Sequence, residues 1–142
     1  MKLLKLTGLL LILFIQLMLA QESETDKHPI DIKVEDCLAI GSNQTTVGMI
    51  ACIQIAMEEW DAEPNKYYKL LMNNLDINEQ DKLRDAQRQW LAFRDKEFEF
   101  IGTRYGNMEG TIFNIIEADS RNNFVKQRAL ELKSYYDILI FE

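Results

Sequence analysis

Residues 87–95 read Gln-Arg-Gln-Trp-Leu-Ala-Phe-Arg-Asp, and this stretch decides the fold because it carries polar groups on the apolar stripe of a helix. The stripe has helical spacing and consists of Leu83, Gln87, Trp90, Arg94 and Ile101. A buried guanidinium without a partner is strongly destabilising. The helix therefore needs acidic partners, either inside the fold or on a bound molecule.

Helical periodicity continues through most of the chain from Thr45 onward. Thr45 or Thr46 can cap a first long helix, because a hydroxyl there accepts from the free amides of the first turn. Pro64 lies on the apolar stripe of that helix and removes the hydrogen bond to the Trp60 carbonyl. We therefore predict a kink or a break between Trp60 and Pro64.

A turn at residues 76–78 separates the first long helix from a second, which Asn78 is expected to cap and which should end near Gly106. A third helix should begin near Thr111, while residues 138–142 have no clear pattern. Short turns place neighbouring helices antiparallel. The predicted fold is an all-α, antiparallel up-and-down helical bundle over residues 31–142, with one N-terminal disulfide.

Residues 1–20 have the outline of a secretory signal peptide. Lys2 and Lys5 precede an apolar run that ends at Ala20, and an acidic segment follows. The run is short for a membrane span, which favours cleavage over an uncleaved anchor. Residues 21–30 are expected to form a flexible mature N-terminus. The protein is thus expected to be exported, either to the periplasm or out of the cell, without a membrane span after cleavage.

Cys37 and Cys52 are the only two cysteines. In an oxidising compartment an even number of cysteines favours a disulfide, here tethering the start of the domain. A redox or metal role is disfavoured, because the spacing is not Cys-x-x-Cys and the lone His28 falls in the expected flexible segment. The sequence indicates no cofactor and no metal.

The net charge of −7 makes nucleic acid an improbable partner, because phosphates would be repelled. Loss of Lys2 and Lys5 with the leader would lower the charge to −9. Such acidity would speed association with a basic protein. It is also what keeps an exported domain soluble, and the sequence leaves both interpretations open.

Several motifs together resemble the family built on the N-terminal domain of the mycobacterial lysozyme inhibitor LprI. They are Cys37, Thr45-x-x-x-Met49-x-x-Cys52, Asp61, Asn65-x-x-Tyr68-x-x-Leu71, Leu83-x-x-Ala86-Gln87-Arg88-x-Trp90-x-x-Phe93-Arg94-Asp95 and Arg128-x-x-x-Leu132. The resemblance implies an exported helical bacterial domain and an ability to bind and inhibit lysozyme. Family members commonly carry a second cysteine pair, where this chain has Phe98 and Ser120, and a leucine in place of Pro64.

The polar residues of these motifs allow two interpretations. In the favoured one they form a structural polar network between antiparallel helices, and Arg94→Ala should cause a large loss of melting temperature. In the other, Arg88, Trp90 and Arg94 form an exposed binding surface. The predicted network consists of Asp61, Asn65, Tyr68, Gln87, Arg88, Trp90, Arg94 and Asp95.

An inhibitor of lysozyme would benefit from inserting a cation or hydrogen-bond donors at the catalytic carboxyl groups. Residues 102–107 are predicted to form such a loop, with Thr103, Arg104, Tyr105 and Asn107 as candidate contacts, although an ordinary turn is the simpler interpretation. An enzyme is disfavoured, because no catalytic triad or metal motif is present. The alternative function is a periplasmic protein-binding or envelope-stability module. The oligomeric state stays open.

Overall fold

The computed structural model describes residues 27–141 and shows a bundle of four α-helices without strands in that range. Helix α1 spans Pro29–Ala39, a short 3-10 turn spans Gly41–Asn43, and the three long helices are α2 (Thr46–Asn74), α3 (Ile77–Gly106) and α4 (Ile112–Phe141). The predicted all-α bundle is confirmed. The C-terminal residues that had no clear sequence pattern continue α4 as far as Phe141.

The two helix starts show which side chains act as caps. Thr45 caps α2, and its hydroxyl accepts a 3.1 Å hydrogen bond from the Gly48 amide. The expected cap of α3 at Asn78 is wrong. Asp76 caps that helix in a capping box, in which its carboxylate accepts from the Glu79 amide and the Glu79 carboxylate accepts from the Asp76 amide. Two amides are satisfied in this way, so the helix begins at Ile77.

Helix α2 does not break at Pro64, contrary to one of the two outcomes that the sequence suggested. The helix runs through this residue to Asn74, and Pro64 itself is buried. On either side Trp60 and Leu71 are only 1% and 2% exposed. Burial of this apolar stripe offsets the hydrogen bond that proline removes, because packing supplies most of the stability of a helix in a protein.

Helix α4 is the centre of the bundle. Helix α2 packs along it, α3 packs on it less extensively, and α1 lies mainly on α2. Although only two residues connect them, α2 and α3 scarcely touch. The buried cluster between α1, α2 and α4 consists of Ile30, Ala56, Trp60, Val125 and Ala129. In contrast, Ile101 is the only buried residue of α3.

Helix α1 begins earlier than the expected boundary at residue 31. Pro29 occupies its first position, the His28 ring accepts a 3.3 Å hydrogen bond from the Ile30 amide, and Ile30 is buried. The His28 ring also stacks on Trp60, with centroids 4.3 Å apart. Residues 27–30 of the segment expected to be flexible thus belong to the folded domain. Its first part, and the predicted signal peptide at 1–20, lie outside the described residues.

The predicted disulfide between Cys37 and Cys52 is present, with Cα atoms 5.8 Å apart. It joins the last turn of α1 to the second turn of α2. Asn43 in the intervening 3-10 turn donates to the Cys37 carbonyl at 2.9 Å. The disulfide closes a loop of 15 residues, for which chain entropy gives about 3 kcal/mol of stabilisation.

Candidate functional site

The most buried guanidinium of the protein belongs to Arg128 on α4, which is 8% exposed. Its Nε and Nη2 both donate to the Gln87 amide oxygen on α3, at 3.0 and 2.9 Å. Its Nη1 donates to Glu131 at 2.6 Å, and the Tyr135 hydroxyl donates to the other Glu131 oxygen at 2.9 Å. Four side chains thus satisfy one another at the contact between α3 and α4.

The titration of Glu131 and Tyr135 reflects this arrangement. Burial raises the pKa of Glu131, but hydrogen bonds from Arg128 and Tyr135 outweigh it and leave the pKa below its ordinary value. The pKa of Tyr135 is raised, first because its hydroxyl donates to the Glu131 carboxylate and second because of burial. The cluster therefore favours an ionised Glu131 and a neutral Tyr135.

Arg94 lies at the edge of the bundle, with 26% of its side chain exposed. It forms a 2.8 Å ion pair with the adjacent Asp95 and reaches Asp61 of α2 at 3.8 Å. The Arg94 and Arg128 guanidinium carbons lie 5.7 and 5.9 Å from the centroid of the Trp90 ring. Trp90 is thus an aromatic contact for two cations.

The predicted polar network divides into parts. Gln87 belongs to the Arg128 cluster, while Arg94 meets Asp61 and Asp95 beside Trp90. The side chains of the remaining three residues form no hydrogen bond or ion pair with the side chains of either group within residues 27–141. Asn65 donates to the Asp61 backbone carbonyl, Arg88 has only an exposed contact with Asp85 at 3.7 Å, and Tyr68 is half-buried without a hydrogen bond to the described chain.

Sequence reasoning did not place Arg128 in this network. The available signal was Arg128-x-x-x-Leu132, in which Leu132 proves to be fully buried, so an arginine one turn earlier lies close to the core. The sequence does not show which helices are neighbours, so Gln87 was expected to join a network with Asp61 of α2, whereas its side chain accepts from Arg128 of α4.

The segment predicted as a loop at residues 102–107 is helical, so that prediction is wrong. Thr103, Arg104 and Tyr105 lie in the last turns of α3, and Asn107 follows its final residue. Gly102 lies inside the helix and not in a turn, and a Cβ there would lie 2.7 Å from the Nη2 atom at the flexible end of the Arg121 side chain. The actual turn follows at residues 107–111, where Gly110 has a φ of 105°.

Arg104 and its neighbours lie at one end of the bundle, where α2 begins, α3 ends and α4 begins. We call this region, residues 45–47 and 103–112, the Arg104 end. The Thr46 hydroxyl donates to the Thr111 hydroxyl at 3.1 Å and ties the two segments together. Val47 and Ile112 are 78% and 53% exposed, Arg104 is exposed, and Tyr105 is half-buried.

An open groove lies between α2 and α3, where the two helices scarcely touch. It has a volume of about 560 Å³ and is lined by Gln54, Met57, Glu58, Asp61, Arg94 and Phe98. The Phe98 ring contacts two cations, since its centroid lies 6.0 Å from the Arg94 guanidinium carbon and 5.4 Å from that of Arg121.

Two further observations concern the part of the chain that the structure describes. Within residues 27–141 no cluster of three or more His, Cys, Asp or Glu side chains is placed to hold a metal ion. No helix in that range has the length and hydropathy that a membrane span requires.

Comparison with known proteins gives the family. A crystal structure of an uncharacterized protein from Burkholderia thailandensis is similar, with a TM-score of 0.76 and 30% identity over 80% of this chain and 56% of that chain. This chain thus spans little more than half of that relative. None of the curated proteins matches the sequence. The family model described as lysozyme inhibitor LprI matches residues 37–132. Because this match covers more than half of the sequence, the chain belongs to the lysozyme inhibitor LprI family.

Proposed function

We propose that the protein is exported, binds lysozyme and inhibits it by contact, without chemistry of its own. The observation that carries this proposal is the match of residues 37–132 to the lysozyme inhibitor LprI family, since that range includes most of the folded chain. The export step rests on the signal-peptide outline of residues 1–20, and the contact mechanism rests on the surface chemistry of the bundle.

The arginines of the chain single out one candidate contact. Five of the six have a carboxylate within ion-pair distance, and these are Arg84, Arg88, Arg94, Arg121 and Arg128. Arg104 is exposed and has no ion-pair partner within residues 27–141. A solvent-exposed guanidinium without an internal partner is free to bind a carboxylate of another molecule.

Lysozyme supplies such carboxylates, because it cleaves its glycan with a pair of carboxyl groups in a cleft. The Arg104 end is one end of the bundle with Arg104 exposed to solvent, and in our proposal this end enters the cleft. In our proposal Arg104 contacts the catalytic carboxyl groups, and Thr103, Tyr105 and Asn107 supply neighbouring hydrogen bonds. Exposed Val47 and Ile112 add apolar area at the same end.

The net charge of −7 supports association with a basic lysozyme. Opposite net charges accelerate encounter over distances comparable to the Debye length, about 8 Å at physiological salt. The local guanidinium then determines how the two molecules dock. Because net charge accelerates the encounter in this proposal, inhibition should weaken as the salt concentration rises.

The test is residual lysozyme activity on a cell-wall suspension titrated with the exported protein. We expect inhibition that Arg104→Ala weakens at least about tenfold, as for loss of a charged contact. Arg88→Ala is the matched control, since Arg88 is an exposed arginine on the same helix and its side chain is 70% exposed. Equal inhibition by the two variants would exclude Arg104 as the contact. No inhibition by the wild-type protein would overturn the proposal and favour a periplasmic protein-binding or envelope-stability module.

A further inference from the structure

Two phenylalanines of α3 face solvent on the side of the helix away from α2. Phe93 and Phe100 are 56% and 61% exposed. They are seven residues apart, so they lie nearly in line and about 10 Å from each other along the helix. The Phe93 ring also contacts Phe124 of α4, with centroids 5.5 Å apart and the two rings inclined by 60°. Two exposed aromatic rings on one line of a helix offer apolar area that a contact with another molecule could bury.

Two oppositely charged residues flank this line. At 100° per residue, Lys96 and Glu97 lie on opposite sides of the line through Phe93 and Phe100, at a level midway between the two rings. Glu97 is half-buried and forms no ion pair with any residue in the range 27–141. Lys96 is 75% exposed, and its only carboxylate contact there is the equally accessible Glu99 at 2.9 Å.

This pattern is complementary to itself in one orientation. When two copies of a helix pack in parallel about a twofold axis, equivalent residues on the central line meet, and each flank meets the opposite flank of the other copy. Phe93 then meets Phe93, Phe100 meets Phe100, and Lys96 of each copy meets Glu97 of the other. An antiparallel arrangement would place Lys96 against Lys96 and Glu97 against Glu97, so charge excludes it.

We propose that this face of α3, formed by Phe93, Lys96, Glu97 and Phe100, binds a second copy of the chain in a parallel, twofold-symmetric dimer. In the dimer each half-buried Glu97 pairs with Lys96 of the other copy, and Phe93 and Phe100 become buried in the contact. The contact involves one helix stripe from each copy, so its area is below that of a permanent dimer. The dimer is therefore reversible and depends on concentration. This inference is independent of the proposed lysozyme contact.

Charge-swap variants test the proposal by sedimentation velocity on the exported protein between about 1 µM and about 500 µM, a range that covers weak interfaces. The wild-type protein should shift from monomer to dimer mass across this range. Lys96→Glu should raise the dimer Kd at least about tenfold, because it sets two carboxylates against each other on each flank. The double variant Lys96→Glu with Glu97→Lys should restore the dimer, since it only exchanges the two flanks.

Lys66→Glu is the matched charge control. Lys66 is an exposed lysine of α2 with a comparable pair to Glu63 at 2.8 Å, and its replacement should leave the dimer Kd unchanged. Phe100→Ser should abolish the dimer, whereas Phe141→Ser, at an 88% exposed phenylalanine of α4, should not. Circular dichroism verifies that each variant is folded. A wild-type chain that stays monomeric at the highest concentration, or a dimer that tolerates both Lys96→Glu and Phe100→Ser, would overturn the proposal.

Discussion

The Arg128 guanidinium donates two hydrogen bonds to a single oxygen, Oε1 of Gln87, and so joins α4 to α3. This link is important because α3 has only one buried residue, Ile101, and therefore little apolar area to hold it in place. The same guanidinium lies over Trp90, whose ring also stacks on Phe124 at 5.9 Å. A buried polar contact thus fixes the position of a helix that is otherwise loosely packed.

Gln87→Leu should destabilise the protein by about 2 kcal/mol, because it leaves two donors of a buried cation without an acceptor. Urea unfolding measures the change. Gln89→Leu, at an exposed position of the same helix, is the control and should stay within about 0.5 kcal/mol of wild type. Equal effects of the two substitutions would show that the Gln87 contact does not stabilise α3.

Arg94→Ala should cost about 1 kcal/mol, which is less than the loss expected for a buried ion pair. The reason is exposure, since the side chains of its partners Asp61 and Asp95 are 57% and 63% exposed and water weakens both pairs. Thermal unfolding provides the measurement, with a shift of about 4 °C expected for a domain of this size. A loss as large as that of Gln87→Leu would mean that Arg94 is the main polar support of α3.

Lowering the pH should remove the contribution of Glu131 to the free energy of unfolding. The pKa of this carboxyl is lowered in the folded protein, so its stabilising contribution is present above the ordinary glutamate pKa of about 4.3 and is lost as pH falls through the folded value. The stability difference between wild type and Glu131→Gln should therefore be constant near neutral pH and shrink below about pH 4.3. Chemical denaturation at a series of pH values measures it, and a difference that does not depend on pH would contradict the assignment.

Gly48→Ala should destabilise the protein although alanine is the better helix former by about 1 kcal/mol. A Cβ at Gly48 would lie 2.5 Å from the Asn43 Cα and 2.6 Å from its carbonyl oxygen. Backbone atoms cannot rotate away, so the 3-10 turn would have to move, at a cost of about 2 kcal/mol. Gly106→Ala is the control, because outside its own turn of the helix no atom lies within 4 Å of the added Cβ. Equal stability of the two variants would show that the turn yields easily.

The three long helices could be predicted from the sequence because each has a long apolar stripe with a clear period. Helix α1 was not predicted. It spans only Pro29–Ala39, and an apolar stripe of that length cannot be distinguished from the scattered apolar residues of an irregular polar segment. The end of α3 near Gly106 was predicted correctly, but a loop was assigned from residue 102 because Gly102 and Gly106 were interpreted as turn residues. Gly102 lies inside the helix beside Arg121, and a contact with another helix leaves no mark in the local pattern.

The polar site could be predicted only in part, for a geometric reason. The sequence shows that Gln87 and Arg94 interrupt an apolar stripe, but not which helix each one faces. That depends on how α3 is rotated and on which helix lies beside it. Because α4 lies beside α3 and α2 scarcely touches it, Gln87 meets Arg128 and only Arg94 reaches across to Asp61.

The central position of α4 has a consequence for how the protein is made. This helix follows α2 and α3 in the chain, and both of them have it as their main packing partner. A nascent chain that has emerged only as far as α3 consequently has no complete interior to assemble, however strong its local helical preferences are. Assembly of the bundle is thus delayed until α4 has been synthesised, however early the first helices form.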